Sequence, residues 1–385
     1  MDFNDIIKSY DTPLFIYDCD VIKKRISYLR NILCADICYA IKANTFVIKE
    51  IKDNIDRIEI CSFGEYKICK ENMCPSNKMV ISGVNKNYEE INYIIENEDN
   101  ILRYTIESIN QFKLLLDLSS KYKRKINIMP RLTSGNQFGI TYEELEYIIE
   151  NKNEFMFLSG IEYFSGTQKS SLKRIEKELV SINEHIKEIE NKYKITINEI
   201  EYGPGLKVNY FIDEEFDEEE YLKEISLLIK NNLSNKKVIL EIGRSIVASS
   251  GYYLTKVADL KENKTGKYAI LDGGINHLVY YGGSMGMRIP EYEVLNKNKE
   301  EDIVNLFGSL CTINDCILKC AKTPKLEIND TFIFKNVGAY SVTEGINLFL
   351  SRDMPKVLLI SNNKEILVRD KFNTYKLNCP NYGGK

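Results

Sequence analysis

A chain of 385 residues exceeds what one ordinary hydrophobic core organises and points to two domains. With 44% apolar and 28% charged residues it has the composition of a globular protein, and no run approaches about 18 uninterrupted apolar residues, which argues against a membrane-spanning helix. The formal charge of −4 argues against nucleic-acid or anionic-membrane partners, both of which select basic surfaces.

The N-terminus, "MDFNDIIKSYDTP", lacks the basic and apolar regions of a secretory leader, which implies a cytosolic protein. "TPLFIYD" reads as a strand that joins a later β domain. From about residue 30 to 250, short apolar runs alternate with longer amphipathic ones. "ADICYAIKA", "RIEICS", "KMVISG", "INIMPRL", "FLSGIEYF", "INEIEYG" and "KVILEIG" read as buried strands. Between them "SINQFKLLLDLSSKYKR" and "SLKRIEKELVSINEHIKEIENKYK" carry apolar residues at three- and four-residue spacing, the signature of helices with one buried face. Such repeated alternation predicts parallel strands with crossover helices, most economically a TIM-type (β/α)8 barrel whose chemistry lies at the C-terminal ends of its strands. Acidic "DEEFDEEE" at 213–220 reads as a solvated loop leading into a helix rather than as a metal site.

After about residue 250 the rhythm changes. "GYYLTKVADLKEN", "KYAILDGG", "DTFIFKNVG", "PKVLLISN" and "KEILVRD" are short strands separated by turn residues, as in a separate β domain. The expected organisation is a barrel over residues 27–250 and a β domain built from 1–26 and 251–385. Ten cysteines form no C-x-x-C pair, and the chain has two histidines, His185 and His277, so neither a zinc site nor a disulfide framework is expected.

Polar and glycine-rich exceptions fall just after the predicted strands. Lys42 follows "ICYAI", "SGTQ" follows "IEYF", "GPG" at 203–205 follows "INEIEY", and "EIGR" at 241–244 follows "KVIL". Glycine lets backbone amides approach a phosphate, and an arginine adds charge. A lysine, a glycine-rich phosphate cradle and a buried carboxylate are the parts of a pyridoxal phosphate (PLP) site.

The order of these parts resembles that of the fold-type III PLP-dependent amino acid decarboxylases, the family of diaminopimelate, ornithine and arginine decarboxylases with a barrel of the alanine-racemase kind. "YAIKAN" resembles the family's "YAVKAN", "IEICSFGE" its "DVxSxGE", and "RLTSGNQFGI" its "SKFG" segment. "EIGR" resembles "EPGR", "LCTINDCI" resembles "LCESGDVL", and "VGAYS" resembles "AGAYG". The resemblance runs over almost the whole chain. It implies that Lys42 holds PLP as an imine and that Glu241 faces the pyridine nitrogen. It assigns Gly203, Gly205, Gly243, Arg244 and Tyr340 to the phosphate and ring, with Ser165 and Thr167 as hydroxyl donors and Arg244 also within reach of substrate. Cys311 matches the family's catalytic cysteine, and Asp315 an aspartate that meets the far amino group of the substrate. In the family these two reach across a dimer interface, so a homodimer with shared sites is implied.

The departures bear on substrate. The family's ring-stacking histidine is replaced by Phe164 in "EYFSGTQ", an aromatic face that stacks but cannot hydrogen-bond. "GINHLVYYGG" puts Tyr280 and Tyr281 where diaminopimelate decarboxylases carry arginine-proline, and Thr312 follows Cys311. Arg288 is a candidate for a displaced cation. Tyr280 and the glycines after it suggest a roomier pocket for a basic, modified or carrier-protein-tethered amino acid. A PLP-dependent racemase or epimerase, or a non-catalytic PLP-binding protein, are the alternatives on the same fold.

Overall fold

In the computed structural model, which describes residues 2–280, 286–298 and 300–380, the chain separates into two units. One comprises Lys23–Lys207 and Asp217–Ser245; the other comprises Met1–Ile22, Val208–Phe216 and Ile246–Lys385.

Strand β1 (Leu14–Asp18) belongs to the second unit. The first is built on β2 (Asp36–Ala40), β3 (Arg57–Ile60), β4 (Met79–Ile81), β5 (Arg103–Ile106), β6 (Ile126–Leu132), β7 (Met156–Leu158), β8 (Ile161–Phe164), β9 (Glu199–Gly203) and β10 (Lys237–Ile242). Each is parallel to its neighbour, and the pairing of Leu240 with Ile37 returns β10 to β2 and closes the ring. β7 pairs with the start of β6 and β8 with its end, so the two form one interrupted barrel strand. The expected eight-stranded barrel is what the described residues form.

Helices cover the outside, and local sequence sets their ends. Leu172–Tyr193 buries Ile175, Leu179, Ile182, Ile186 and Ile189, and the Ser171 side chain accepts from the Arg174 amide at its start. Ser108 caps Ile109–Tyr122 in the same way. The acidic run opens Glu218–Leu233, with Asp217 as cap and Glu218, Glu219 and Glu220 in the first turn, where the helix dipole favours negative charge.

The strands differ from the expectation in one respect that matters for function. They are not uniformly apolar. Alternate residues of a strand point to opposite faces, and the faces opposite Ile58, Ile60, Ile200 and Tyr202 carry charge. β3 presents Arg57 and Glu59, followed by Cys61; β9 presents Glu199, Glu201 and Gly203; β8 presents Glu162 and Phe164. All five charged residues are buried. Arg57 lies 2.7 Å from Glu199 and 3.0 Å from Glu201, and Arg131 lies 3.1 Å from Glu107 and 3.5 Å from Glu162. The barrel axis is therefore lined by ion pairs.

The second unit is a sheet in the order β15-β14-β12-β11-β1-β17-β18. Its later strands are β11 (Gly251–Asn263), β12 (Gly266–Leu271), β13 (Tyr292–Leu295), β14 (Glu301–Phe307), β15 (Cys316–Pro324), β16 (Thr331–Phe334), β17 (Lys356–Ser361) and β18 (Lys364–Arg369). β16 pairs with β11 and β13. β1 enters this sheet antiparallel to β11, with Leu14 opposite Leu254, and parallel to β17, with Leu14 opposite Lys356. Ile6, Leu14, Ile16, Leu254, Ile333 and Leu358 form its core. Residues 208–216 group with this sheet although they lie between two barrel elements.

Candidate active site

Strand β2 ends at Ala40, and a single 3-10 turn, Ile41–Ala43, carries Lys42 past the strand end. Its ammonium lies 2.7 Å from Glu59 and 3.5 Å from Glu241, at the ends of β3 and β10. The Cys61 thiol is 3.6 Å from the same nitrogen and donates to Glu59 at 3.2 Å. Gly243 packs on Ala40 and Ala43, which ties the end of β10 to the turn bearing the lysine.

The charge on Lys42 is set by its carboxyl neighbours. Burial alone lowers the amine, but Glu59 and Glu241 outweigh it and hold the ammonium well above the ordinary lysine range. The lysine is faced by carboxyl groups, not by the cations that would help it lose its proton. Its side chain keeps 39% exposure, whereas Glu59 and Glu241 keep 2% and 5%. Burial raises Glu59, yet Lys42 and a hydrogen bond from Glu241 bring it down to about 2. Burial and the adjacent Glu59 push Glu241 up to about 8. Glu241 is thus an acid that keeps its proton to near neutrality even with the Lys42 ammonium 3.5 Å away.

A second group of expected residues meets at the ends of β8 and β9. The Lys169 amide donates to the Gly205 carbonyl at 2.8 Å, joining the two loops. Gly205 has φ +59°, and a Cβ there would lie 2.1 Å from the Gly166 carbonyl oxygen. A Cβ on Gly203 would lie 2.1 Å from Cδ2 of Phe164. Both positions therefore require glycine, one for its backbone and the other for the ring packed on it. Arg244 follows β10, and its Nε donates to Thr167 Oγ1 at 3.4 Å. The Phe164 ring sits 5.7 Å from the Arg131 guanidinium. Ser165 donates its hydroxyl to Glu178 at 2.5 Å.

Lys42, Phe164, Thr167, Gly203, Gly205, Glu241, Gly243 and Arg244 thus lie at the C-terminal ends of barrel strands, where such barrels keep their chemistry. These residues fit PLP. They offer a primary amine, a buried carboxyl that keeps a proton and can face a pyridine nitrogen, and a glycine cradle that a Cβ would fill, with an arginine beside it.

The pyridoxal-binding domain model of the pyridoxal-dependent decarboxylases matches residues 19–248. The chain belongs to the pyridoxal-dependent decarboxylases. It is a PLP-dependent carboxy-lyase acting on an amino acid. It is 25% identical to the diaminopimelate decarboxylase of Methanocaldococcus jannaschii, over 95% of this chain and 90% of that protein. It is also 25% identical to the L-glutamyl-[BtrI acyl-carrier protein] decarboxylase of Niallia circulans, over 95% of this chain and 92% of that one. The crystal structure of the M. jannaschii enzyme in complex with L-lysine superposes with a TM-score of 0.86 at 24% identity, covering 98% of this chain and 94% of that one.

The remaining expected residues of this decarboxylase belong to the β-sheet unit, and two do not have the surroundings the resemblance implied. Asp315 is 1% exposed, and its carboxylate accepts from the backbone amides of Ile275 (2.8 Å) and Leu310 (2.7 Å). It staples two loops and presents no surface to a substrate amine. Tyr280 is 1% exposed, packs on Tyr210 and Phe211, and donates its hydroxyl to the Lys335 carbonyl at 2.7 Å, so it is core. Arg288 is committed to Asp213 and Glu214. Tyr281 lies outside the described residues. Cys311 is exposed at the tip of a loop, and Tyr340, with φ 66°, opens the short helix Ser341–Glu344.

Sequence reasoning missed Glu59, Cys61, Arg131 and Glu162 along the barrel axis. It also missed the network beneath the glycine loops, where Glu178 accepts from Lys169 (2.7 Å), Tyr202 (2.7 Å) and Ser165. A signal for the first group was present. "RIEIC" and "IEYGPG" alternate charged and apolar residues with period two, and two such strands in one barrel imply a charged axis. Lys169 and Glu178, nine residues apart across a loop–helix boundary, leave no such mark.

Proposed function

We propose that this decarboxylase is a homodimer acting on a basic, modified or carrier-protein-tethered L-amino acid, with Lys42 as the cofactor lysine and Cys311 as proton donor. The observation that carries the reading is the Lys42–Glu59–Glu241 constellation at the strand ends. Bound there, PLP supplies the electron sink for the pair left when a Cα–carboxylate bond breaks. Lys42 would hold the cofactor through its amine, beside Glu59 and Glu241. Glu241 holds a proton at the pyridine nitrogen, and its raised affinity for protons in the free protein supports that role. Thr167, Gly203, Gly205 and Arg244 hold the phosphate, with Gly243 spacing the last of these from Lys42. The Phe164 ring, already against Gly203 and Arg131, supplies an apolar face to the pyridine. Ser165 orders the same loop through Glu178.

Cys311 returns a proton to Cα. A thiol can serve as a general acid, which suits that step. The exposed Cys311 loop supports a shared site. Ile313 is 90% exposed beside it, and Ile346, Leu348, Phe349 and Leu350 are between 44% and 49% exposed on a segment tied to the loop by Arg352 donating to the Ser309 carbonyl. An apolar group of this kind calls for a covering partner. With Asp315 and Tyr280 withdrawn, selection of the distal end of the substrate falls to Arg244, Thr312 and the partner subunit. All ten cysteines are free, which supports a reducing compartment such as the cytosol.

CO2 release is measured across free basic amino acids, N-acylated ones and an aminoacyl group on an acyl-carrier protein. One class is expected to turn over, with Lys42→Ala losing both cofactor absorbance and turnover and Cys311→Ala keeping the absorbance. A Lys42→Ala variant that still carries lysine-linked cofactor would sink the assignment.

A further inference from the structure

Away from the barrel mouth, the helix Phe63–Glu71 ends in a turn that brings two cysteines together. Met73 adopts φ +55°, its amide donates to the Lys70 carbonyl at 3.0 Å, and the Cys74 amide donates to the Cys69 carbonyl at 2.9 Å. This is the Schellman pattern, in which the two residues joined by the outer hydrogen bond usually make an apolar side-chain contact. Here both of those residues are cysteine. The bonds flanking that hydrogen bond leave the two Cα atoms no more than about 6.8 Å apart, within the span of a disulfide, about 4.4–6.8 Å.

Two lysines attend the turn. Lys52 Nζ donates to the carbonyls of Asn72 (2.9 Å) and Met73 (3.1 Å), and Lys78 Nζ to those of Lys52 (2.9 Å) and Ile55 (2.7 Å). The neighbouring Cys69 thiol together with these ammonium groups lowers the Cys74 thiol below its ordinary value, against the effect of burial. Cys69 is fully buried, whereas Cys74 keeps 4% exposure next to Met73, which is 70% exposed. One thiol is thus placed to meet a small oxidant at the loop edge, and the other waits directly behind it.

We propose that Cys69 and Cys74 are a redox modification site that closes to an intrachain disulfide under hydrogen peroxide and clamps the C-terminal turn of this helix. The Cys74 thiolate attacks one peroxide oxygen, the O–O bond breaks, and the departing hydroxide takes a proton to become water, leaving a sulfenic acid. The Cys69 sulfur then attacks the Cys74 sulfur and loses its proton, and the second oxygen leaves as water. Two thiols lose two electrons in all, and one peroxide is reduced to two waters. Neither thiol takes part in the decarboxylation proposed above, so this site stands or falls separately.

The test treats the holoenzyme with peroxide, blocks remaining thiols under denaturing conditions, and maps tryptic peptides without reduction. A disulfide would join Ile68–Lys70 to Glu71–Lys78, because trypsin cuts between the two cysteines at Lys70. The expected result is that linked pair, two hydrogens lighter than the sum, with both residues lost to alkylation and both regained after dithiothreitol. Cys34→Ser, which removes an exposed thiol, should keep the link. Cys69→Ser should abolish it and leave Cys74 singly oxidised. Cys69 and Cys74 remaining fully alkylatable while exposed Cys34 and Cys320 are oxidised would overturn the proposal, as would Cys74 pairing only with a thiol other than Cys69.

Discussion

Two buried side chains give this protein opposite dependences on acid, and each can be read separately. Glu241 binds its proton up to about 8 in the folded chain, against 4.5 for an ordinary glutamate. Its contribution to stability is complete below about pH 4.5 and is lost as pH rises through about 8. In the cofactor-free protein the slope should approach one proton, or about 1.4 kcal/mol per pH unit. Glu241→Gln should flatten the fall in Tm over that window, and scanning calorimetry of the cofactor-free protein at stepped pH measures it. An equally steep fall in the variant would mean that the carboxyl does not hold its proton. His277 works the other way. It is 2% exposed, its Nδ1 lies 2.9 Å from the Tyr253 hydroxyl and its Nε2 3.1 Å from the Asp353 carbonyl, and burial lowers it to about 4. Its contribution is complete above about pH 6.5 and lost as pH falls through about 4. His277→Asn should therefore soften the loss of stability on the acid side without touching the Glu241 window.

The element that most constrains the site is the pair of loops after β8 and β9. Gly205→Ala would force a side chain to φ +59° and bring its Cβ 2.1 Å from the Gly166 carbonyl. The left-handed backbone alone costs about 1–2 kcal/mol, and the clash parts the two loops. Cofactor binding, titrated by visible absorbance, should weaken by about tenfold or more, while the far-UV circular dichroism of the barrel is kept. Unchanged affinity would remove these loops from the phosphate site. Legibility also divides by element. Strands with a helix between them announce themselves by a change of period, so seven barrel strands and β1 were readable, whereas β5, "RYTI", was not read as a strand. Lys42, Glu241 and the glycines could be picked out because each lies at or just past the C-terminal end of a strand. The surroundings of Asp315 and Tyr280 could not be read because motif order fixes a position in the chain but not which way the side chain turns. Whether an aspartate meets a substrate or two backbone amides depends on loops some 40 residues away in sequence, as Ile275 is from Asp315.

At the scale of the whole molecule, the proposed dimer makes a quantitative demand. If each site takes Lys42 from one subunit and Cys311 from its partner, Lys42→Ala and Cys311→Ala homodimers each contain two broken sites. Mixing equal amounts under conditions that exchange subunits gives half mixed dimers by random pairing. Each mixed dimer pairs a subunit lacking only Lys42 with one lacking only Cys311, which leaves one intact site and one doubly broken one. About a quarter of all sites should then recover, and CO2 release should approach a quarter of the unmutated rate, with the time course following subunit exchange. The recovered activity should also fall on dilution, since the exposed apolar group around Ile313 and Phe349 would then lose its cover. If each subunit used its own Cys311, the same mixing would yield no gain, because every site would still lack one of the two groups. That null result, with dimers confirmed by sedimentation, would separate assembly from catalysis and leave Cys311 acting within its own chain.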